Sequence, residues 1–523
     1  MEERFLPIGI QDFEKLRNGN YLYVDKTPQI YELARTSNPY FLSRPRRFGK
    51  SLLLSTMEAY FLGKKELFKG LALENLEKDW TVYPVIKISF GSGSYETKEK
   101  LLSIIDYIMS GYEKQYGIEK KSDNPAVRLS SLIIQLFEKT GRQVVILIDE
   151  YDKPILDALY TEFEELNRQE LRNFYSPLKE NDKYIRFIFI TGITKVSHIN
   201  IFSGLNQLND ISLASDYSAI CGISETELVQ YFTPEIEALA KRQEMSIEEA
   251  KEKLAYMYDG YHFTHDVEGV YNPFCLLKCF YEKDFGSYWF ESGTPSFLVK
   301  TLQNQPFELT NLVNGRLANE NQFKNDDPDS KNMLPVVYQS GYLTIKGFEK
   351  EDRLYTLDFP NHEIEQGFLG VLLKKFVTVP DDDIGLEITN LRVALRNRNI
   401  DKALSIIKAA IADLPTIVRK DQCENYYESV THLMFRMTGY RVASELQSVA
   451  GRSDVVVMTK DAVYIFELKM DKGRDFEEAA AEALAQIDAN GYAERFSVSG
   501  KTMHRVGLVF SSDGKGLVGW KIK

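Results

Sequence analysis

A Gly-Lys-Ser tripeptide, Gly49 to Ser51, lies between a short apolar stretch at residues 40–43 and a helical pattern of apolar residues at 51–61. Glycine permits a tight turn, and the backbone N–H groups at the start of a helix attract anions. In such a loop Lys50 would reach the β and γ phosphates of a nucleotide, while the Ser51 hydroxyl would complete the coordination of Mg2+. The order of strand, loop and helix therefore predicts a phosphate-binding loop.

The loop departs from the usual pattern G-x-x-x-x-G-K-[ST], because Arg44 stands where that pattern has its first glycine. The pattern therefore does not determine the geometry at that end of the loop. A Gly-Lys-Ser tripeptide is also common at the solvated start of an ordinary helix, so a second motif is needed to decide between the two interpretations.

Two carboxylates provide that second motif. The apolar run at residues 143–148 predicts a buried strand of a parallel sheet, and Asp149 and Glu150 follow it directly. Asp149 would hold Mg2+, and Glu150 would act as the general base that polarises the attacking water. A buried strand followed by a polar loop is the alternative, but the combination with the upstream loop favours nucleotide binding.

A third constellation lies near the C-terminus. The apolar runs at residues 454–458 and 462–469 are separated by three residues, which predicts a β-hairpin. Because side chains alternate between the two faces of a strand, Glu467 and Lys469 lie on one face. Burial of charged groups costs free energy, so charges at the end of a buried strand indicate a specific role. Carboxylates from paired strands, Asp454 and Glu467, would bind the Mg2+ that polarises a phosphodiester, while Lys469 would position the water or balance charge.

A solvated Glu-x-Lys pair on an edge strand is the alternative interpretation of Glu467 and Lys469. The order of Asp454, hairpin and a following helix at 476–490 favours a nuclease fold, although loss of activity within an intact fold would leave the same pattern. A further carboxylate could come from Glu428, or from Glu424 one turn earlier.

Length and composition limit the class of protein. A chain of 523 residues is too long for one core, so we expect two to four domains. Hydrophobic residues make up 44% and charged residues 27%, and no apolar run approaches the length of a membrane span, which predicts a soluble protein that binds no membrane. The start of the chain has no apolar signal core, so we expect a cytoplasmic location. A net charge of −12 excludes a protein that is basic throughout, but a local basic groove could still bind DNA.

The strands around the two nucleotide motifs suggest a sheet order. A strand at residues 82–90 falls between the motifs along the chain, as in additional-strand ATPases. The next strand, at 184–192, ends in polar residues, of which Thr191, Thr194 or Lys195 could touch a γ-phosphate. Ordinary capping of the strand end is the alternative role for each of them.

Three segments resemble a known family. Residues 44–51 (Arg-Pro-Arg-Arg-Phe-Gly-Lys-Ser), 149–154 (Asp-Glu-Tyr-Asp-Lys-Pro) and 23–27 (Tyr-Val-Asp-Lys-Thr) are similar to bacterial AAA-ATPase-like proteins with a C-terminal PD-(D/E)xK nuclease domain. The resemblance spans nearly the whole chain. It implies that Arg44 is a family trait, that Asp454, Glu467 and Lys469 form the nuclease motif, and that Gln486 matches a further glutamine of that domain.

The residues and the resemblance together predict an α/β protein with an N-terminal P-loop ATPase of the additional-strand, AAA/STAND-like type, a helical lid, and a C-terminal restriction-endonuclease-like α/β/α domain. We expect an ATPase core at residues 1–220, the lid at 221–330, a linker or helical module at 331–420 and the nuclease-like domain at 421–523. The predicted ATP site comprises Arg46, Arg47, Phe48, Gly49, Lys50, Ser51 and Asp149, with Ser51 and Asp149 as metal ligands.

The expected function is an ATPase that gates a Mg2+-dependent nuclease acting on DNA, with defence or mobile-element biology as its setting. The alternative is a regulatory ATPase whose nuclease-like domain binds nucleic acid without cutting it. ATP and Mg2+ are the expected cofactors. A homo-oligomer is also expected, because hydrolysis in this class usually needs an arginine from a neighbouring subunit, with Arg186 and Arg46 as weak candidates.

Overall fold

The computed structural model describes residues 4–195, 201–202, 205, 207–291, 298, 300, 316–324, 334–376, 381–412, 423–447, 452–489, 496 and 500–523. The chain divides into two compact units. The N-terminal unit comprises Met1–Phe307 and Gly315–Ile364, and the C-terminal unit comprises Glu308–Asn314 and Glu365–Lys523. The finer division into four domains stays a prediction. None of the helices in the described ranges is long and apolar enough to cross a membrane.

A parallel sheet of five strands forms the centre of the N-terminal unit, in the order β2-β3-β4-β1-β5. Strand β4 lies between β1, which precedes the phosphate loop, and β3, which ends in the acidic pair. This is the predicted additional-strand arrangement, and the fold class is confirmed. The strands are β1 (Pro39–Ser43), β2 (Val85–Ser89), β3 (Val144–Asp149), β4 (Ile185–Gly192) and β5 (Asn209–Asp210).

The helices of this unit begin and end at the residues that local chemistry favours. Thr97 and Asn124 accept backbone hydrogen bonds as N-caps, and Gly117 and Gly141 end the same two helices with φ of 59° and 66°. The helices are α1 (Phe13–Asn18), α2 (Thr27–Ala34), α3 (Lys50–Phe61), α4 (Ala72–Leu76), α5 (Lys98–Tyr116), α6 (Pro125–Thr140), α7 (Lys153–Ala158), α8 (Phe163–Tyr175) and α9 (Pro177–Glu180).

Strand β2 is an outer strand of the sheet, and tyrosines of α5 cover its free edge. The Tyr112 hydroxyl accepts a hydrogen bond from Lys87 N at 2.7 Å and donates one to Lys87 O at 3.0 Å. The Tyr116 hydroxyl donates to Val85 O at 3.5 Å. Side chains of the same chain therefore satisfy the outward backbone groups of this strand.

Within residues 221–291, where the sequence predicts most of the lid, the structure has four further helices. The first two start with a capping box, in which Ser224 pairs with Glu227 and Ser246 with Glu249. These helices are α10 (Glu225–Arg242), α11 (Ile247–Tyr258), α12 (Pro273–Glu282) and α13 (Tyr288–Glu291).

A small module follows, with the order strand, helix, helix and hairpin. Its antiparallel sheet has the order β6-β8-β7, so the first strand pairs with the last one. Among the described residues this order resembles that of a winged helix, and we call residues 316–324 and 334–358 the winged module. Its elements are β6 (Arg316–Asn319), α14 (Glu320–Lys324), α15 (Leu334–Gln339), β7 (Thr344–Glu349) and β8 (Leu354–Asp358).

The C-terminal unit contains a mixed sheet in the order β13-β12-β11-β10-β9, in which only β11 and β12 are parallel within the described residues. The strands are β9 (Arg441–Gln447), β10 (Arg452–Met458), β11 (Ala462–Met470), β12 (Thr502–Phe510) and β13 (Leu517–Ile522). The helices are α16 (His362–Phe376), which continues from the N-terminal unit, α17 (Asp381–Arg396), α18 (Ile400–Ala410), α19 (Cys423–Met437) and α20 (Phe476–Ala489).

Helices α19 and α20 cover opposite faces of this sheet. Phe466 of β11 stacks on Phe435 of α19 with ring centres 4.6 Å apart, whereas its neighbour Ile465 packs in a cluster with Ile487 of α20. Successive residues of a strand point to opposite faces. The predicted α/β/α domain and the hairpin of β10 and β11 are therefore confirmed.

Burial of His432 on α19 makes stability depend on pH. The residue is 4% exposed, neither ring nitrogen has a hydrogen-bond partner among the described residues, and burial lowers the pKa of His432 to about 3. The folded protein thus favours the neutral ring, while an unfolded histidine binds a proton near pH 6.5. Stability is therefore complete above about pH 6.5 and falls as the pH drops from there towards 3.

We expect His432→Phe to reduce this acid sensitivity. Two pH units below 6.5 correspond to about 3 kcal/mol of unfolding free energy, which the variant should no longer lose between pH 7.5 and 4.5. Urea unfolding at both pH values measures the difference, with the exposed His265→Phe as control. An equal loss in wild type and His432→Phe would contradict the assignment.

Candidate functional site

Arg44 occupies the position where the usual loop pattern has glycine, and its side chain is 1% exposed. Its guanidinium donates hydrogen bonds to the carbonyls of Ser43 at 2.9 Å, Ser212 at 2.8 Å and Tyr217 at 3.0 Å. The same group lies 3.9 Å from the ring centre of Phe263. Arg44 therefore ties the start of the phosphate loop to the chain that follows β5.

Aromatic packing around Phe48 supports the loop. Its buried ring meets Tyr261 and Phe263 edge-on, with ring centres 4.8 and 5.6 Å apart. Gly341 lies against Pro45 so closely that a Cβ would come within 2.6 Å of the proline ring. Phe48 was predicted to bind the cofactor; its ring takes part in this packing, and its role towards a nucleotide stays a prediction.

A cleft with a volume of about 430 Å3 opens in front of the loop, which is large enough for a nucleotide. Its lining includes predicted residues of the site, together with residues near the start of the sequence and residues of the helical region. The first group contains Arg46, Arg47, Phe48, Gly49, Lys50, Ser51 and Glu150. The second group includes Gly9, Ile10, Gln11, Val24, Ile223, Phe232, Phe274 and Leu277.

The charges of Lys50 and Glu150 influence each other in this cleft. The Lys50 ammonium is 7% exposed and donates hydrogen bonds to the carbonyls of Arg44 and Pro45, both at 2.9 Å. Burial lowers the pKa of Lys50, while the charges of Asp149 and Glu150 oppose that shift. Burial raises the pKa of Glu150, and the nearby Lys50 opposes it. A carboxylate with a raised pKa is suited to accept a proton.

The backbone of Glu150 has an unusual conformation. Its φ is 52°, which is uncommon for a residue with a Cβ and is frequent at functional sites. Gly91 lies beside the Glu150 carboxylate, and both residues line the cleft. We call residues 149–152 the acidic turn, and its Glu150 lines the cleft.

Asp149 lies behind the surface of the cleft. It is 3% exposed, and its Oδ1 accepts a hydrogen bond from the Thr191 hydroxyl at 2.8 Å. The structure thus does not place Asp149 among the residues that line the cleft, and its role as a metal ligand stays a prediction.

The residues after β4 that could touch a γ-phosphate have partners within the protein. Asp152 Oδ2 accepts hydrogen bonds from Ile193 N at 3.0 Å, from Thr194 N at 2.7 Å and from the Thr194 hydroxyl at 2.9 Å. Lys195 forms an ion pair with Asp210. We call residues 193–195 the post-β4 segment, which the acidic turn holds in place.

The motif at residues 23–27 links the start of the chain to the helical region. Asp25 accepts hydrogen bonds from Thr27 N and from Ala72 N, at 2.9 and 2.8 Å. Lys26, which lines the cleft, forms an ion pair with Glu227 of α10 at 2.5 Å. Sequence reasoning missed this role, because the partner of Lys26 lies 201 residues further along the chain.

Arg186 has a role within its own unit. Its guanidinium donates hydrogen bonds to Thr36 O at 2.8 Å and Ala34 O at 2.6 Å, at the end of α2. These bonds satisfy carbonyls at a helix C-terminus. Arg46 lies exposed on the phosphate loop.

Glu467, Lys469 and Gln486 come together in the C-terminal unit. The Lys469 ammonium donates a hydrogen bond to Gln486 Oε1 of α20 at 2.6 Å and lies 3.9 Å from Glu467 Oε1. Glu467 is 1% exposed, so its carboxylate is removed from bulk water. The strand period predicted that Glu467 and Lys469 share a face, and the structure shows them together.

Asp454 lies on the neighbouring strand. Val455 pairs with Phe466, so the next step of the antiparallel register sets the backbone of Asp454 opposite Glu467. The side chains of Asp454 and Glu424 lie outside the described residues, and Glu428 is half-buried on α19. Among the residues whose side chains are described, no cluster of three or more His, Cys, Asp or Glu could hold a metal ion. A pair of carboxylates is nevertheless a donor set that suits a hard cation such as Mg2+.

Replacing Arg44 by glycine would restore the usual loop pattern, yet we expect it to weaken the protein. The variant leaves buried carbonyls without a donor and opens a cavity, at a cost of about 3 kcal/mol or more in unfolding free energy. Thermal unfolding and titration with a fluorescent ATP analogue measure the loss of stability and of affinity. Arg46→Gly, an exposed change in the same loop, should leave the unfolding temperature nearly unchanged. Unfolding and binding of Arg44→Gly at wild-type level would show that Arg44 is not needed.

Comparison with known proteins agrees with this geometry. The family model described as predicted AAA-ATPase matches residues 7–202, and that of the PD-(D/E)XK nuclease superfamily matches residues 422–520. An uncharacterised protein from the vnfD 5′ region of Azotobacter chroococcum mcd 1 is 35% identical over 532 aligned positions, which cover 100% of this chain and 99% of that protein. The chain therefore belongs to the predicted AAA-ATPase family, in a form that carries a C-terminal domain of the PD-(D/E)XK nuclease superfamily.

Proposed function

We propose that the N-terminal unit binds and hydrolyses ATP with Mg2+, and that the state of the nucleotide controls Mg2+-dependent cleavage of DNA by the C-terminal domain. One observation carries the proposal: Lys50, Ser51 and Glu150 line a single cleft of nucleotide size. The contact of Lys469 with Gln486 beside Glu467 supports the nuclease half.

In the cleft, each residue has a separate role. Lys50 would exchange its hydrogen bonds to the loop carbonyls for contacts with the β and γ phosphates. A hydrogen bond from an ammonium to a charged phosphate is stronger than one to a neutral carbonyl. The Ser51 hydroxyl and Asp149 would hold Mg2+, which supplies charge neutralisation when it is bound. Glu150 would orient the attacking water and accept its proton.

In the C-terminal domain, Asp454 and Glu467 would hold the metal ion that activates water for attack on the phosphodiester. The burial of Glu467 strengthens its interaction with a cation, because the local dielectric constant is low. Gln486 fixes the direction of the Lys469 ammonium, which would position the water or balance the developing charge.

Lys50→Ala should weaken ATP binding by about tenfold or more, since a charge-assisted contact to phosphate is worth about 1.5–3 kcal/mol. Glu150→Gln should bind ATP at wild-type strength and hydrolyse it at least about a hundredfold more slowly. Calorimetric titration and a phosphate-release assay measure the two effects, with the exposed Glu99→Gln as control. Equal ATP affinity of wild type and Lys50→Ala would remove the nucleotide assignment.

Asp454→Ala, Glu467→Gln and Lys469→Ala should each reduce DNA cleavage by about a hundredfold or more while ATP hydrolysis continues. Glu467→Gln should also weaken metal binding, whereas Lys469→Ala should retain it, because an ammonium is not a metal ligand. Glu150→Gln should alter cleavage if nucleotide state controls it.

The assay for these variants uses plasmid and linear DNA with Mg2+ or Mn2+, with and without ATP. The exposed carboxylate variant Glu478→Gln should cut like the wild type. If no substrate is cut under any condition, the nuclease assignment fails and a domain that binds nucleic acid without cleaving it takes its place. If Glu467→Gln cuts like the wild type, the cleavage does not come from this site and the nuclease assignment fails as well.

A further inference from the structure

The winged module lies outside both regions matched by the family models. In DNA-binding helix-turn-helix proteins the second helix enters the major groove, which requires an exposed face with side chains that reach the bases. Helix α15 holds that position in the winged module. Its buried residues are Leu334, Pro335, Val336, Val337 and Gln339, so the N-terminal unit itself covers this helix.

The hairpin tip of the module is also a poor surface for nucleic acid. Its exposed residues at 349–353 comprise three acidic and two basic side chains. Binding to the phosphate backbone depends on an excess of Lys and Arg. The chemistry of the module therefore does not indicate a DNA reader.

The polar contacts of α15 lead to the nucleotide-binding core. Gln339 Oε1 accepts a hydrogen bond from Lys195 N at 2.6 Å, and Gln339 Nε2 donates one to Phe323 O at 3.2 Å. Gln339 is 5% exposed, so both bonds are made away from water. The amide thus connects the winged module to the post-β4 segment.

Asp152 holds the same segment from the other side. Its carboxylate accepts hydrogen bonds from Ile193 and Thr194, which directly precede the residue held by Gln339. Asp152 lies two residues after Glu150, the predicted general base. The post-β4 segment is therefore fixed between the acidic turn and the winged module.

The module also touches the support of the phosphate loop. The Thr344 hydroxyl accepts a hydrogen bond from His262 N at 2.7 Å and donates one to His262 O at 2.9 Å. His262 lies between the two aromatic residues that pack on Phe48. Gly341 contacts Pro45 of the loop, as described above.

We infer that Gln339 is a positioning residue for nucleotide hydrolysis, and that the partner of the winged module is the nucleotide-binding core of its own chain. By holding Lys195 N, Gln339 keeps the post-β4 segment, and through Asp152 the acidic turn, in the geometry that hydrolysis needs. This inference rests on the proposed ATPase activity. A displacement of about 1 Å in such a site can lower the rate about a hundredfold.

The test compares wild type with Gln339→Leu, Gln339→Glu and Tyr338→Phe. Leucine removes both hydrogen bonds at similar size, whereas glutamate keeps the oxygen that accepts from Lys195 N. Tyr338→Phe is the matched control on the same helix, because the Tyr338 hydroxyl has no hydrogen-bond partner among the described residues. Three quantities are measured for each protein: the Kd for ATP, kcat, and the hydrogen-exchange rate of the Lys195 amide.

For Gln339→Leu we expect kcat to fall about ten- to a hundredfold, a Kd within about threefold of wild type, and faster exchange at Lys195. Gln339→Glu should recover most of kcat, and Tyr338→Phe should match the wild type. A wild-type kcat in Gln339→Leu would overturn the inference, as would an equal loss in Tyr338→Phe.

Two further outcomes are also decisive. If Gln339→Leu does not fold, Gln339→Glu decides, because its kcat should follow the protection of the Lys195 amide from exchange. Faster exchange at Lys195 with a wild-type kcat, or a lost kcat with unchanged exchange, overturns the inference. If the wild type hydrolyses no ATP, the proposed function fails. Exchange of the Lys195 amide then tests the contact with Gln339 by itself, and unchanged exchange in folded Gln339→Leu overturns that contact.

Discussion

A buried guanidinium determines how the nucleotide cleft is built. A charge removed from water must be compensated by hydrogen bonds. Arg44 donates such bonds to the carbonyls of Ser212 and Tyr217, far along the chain. The start of the phosphate loop is therefore fixed by the segment around Ser212 and Tyr217, and not by the flexibility of a glycine. The aromatic packing of Phe48 and the contact of Gly341 with Pro45 complete a rigid base under the loop.

Sequence reasoning predicted the parts of this site that depend on neighbouring residues. Strand β3 with Asp149 and Glu150, and helix α3 after Gly49, follow from apolar period and local turn chemistry, and both are present. The roles of Arg44 and Phe48 depend on partners more than 160 residues away, such as Ser212 and Tyr261. No local pattern encodes those contacts. The positions of Asp149 behind the cleft surface and of Thr191 as its partner likewise follow from tertiary packing.

The C-terminal site was more accessible to sequence reasoning because most of it lies on one hairpin. The strand period alone placed Glu467 and Lys469 on one face, and the family resemblance supplied Gln486, which the structure brings to Lys469. No sequence pattern indicated the buried environment of His432. Its unusual environment arises from the packing of α19 on the sheet, and a lone histidine in a helical pattern does not reveal whether its ring nitrogens find partners.

The tyrosines on the outer edge of β2 limit how copies of this chain can meet. An uncovered strand edge invites a second sheet to continue it, which is a common route to assembly and to aggregation. Here the hydroxyl of Tyr112 accepts a hydrogen bond from the backbone N–H of Lys87 and donates one to its carbonyl. A neighbouring subunit would have to displace helix α5 before it could extend the sheet from that side. A second copy of the chain that met this side of the sheet would therefore contact side chains of α5, because the sheet is closed at this edge.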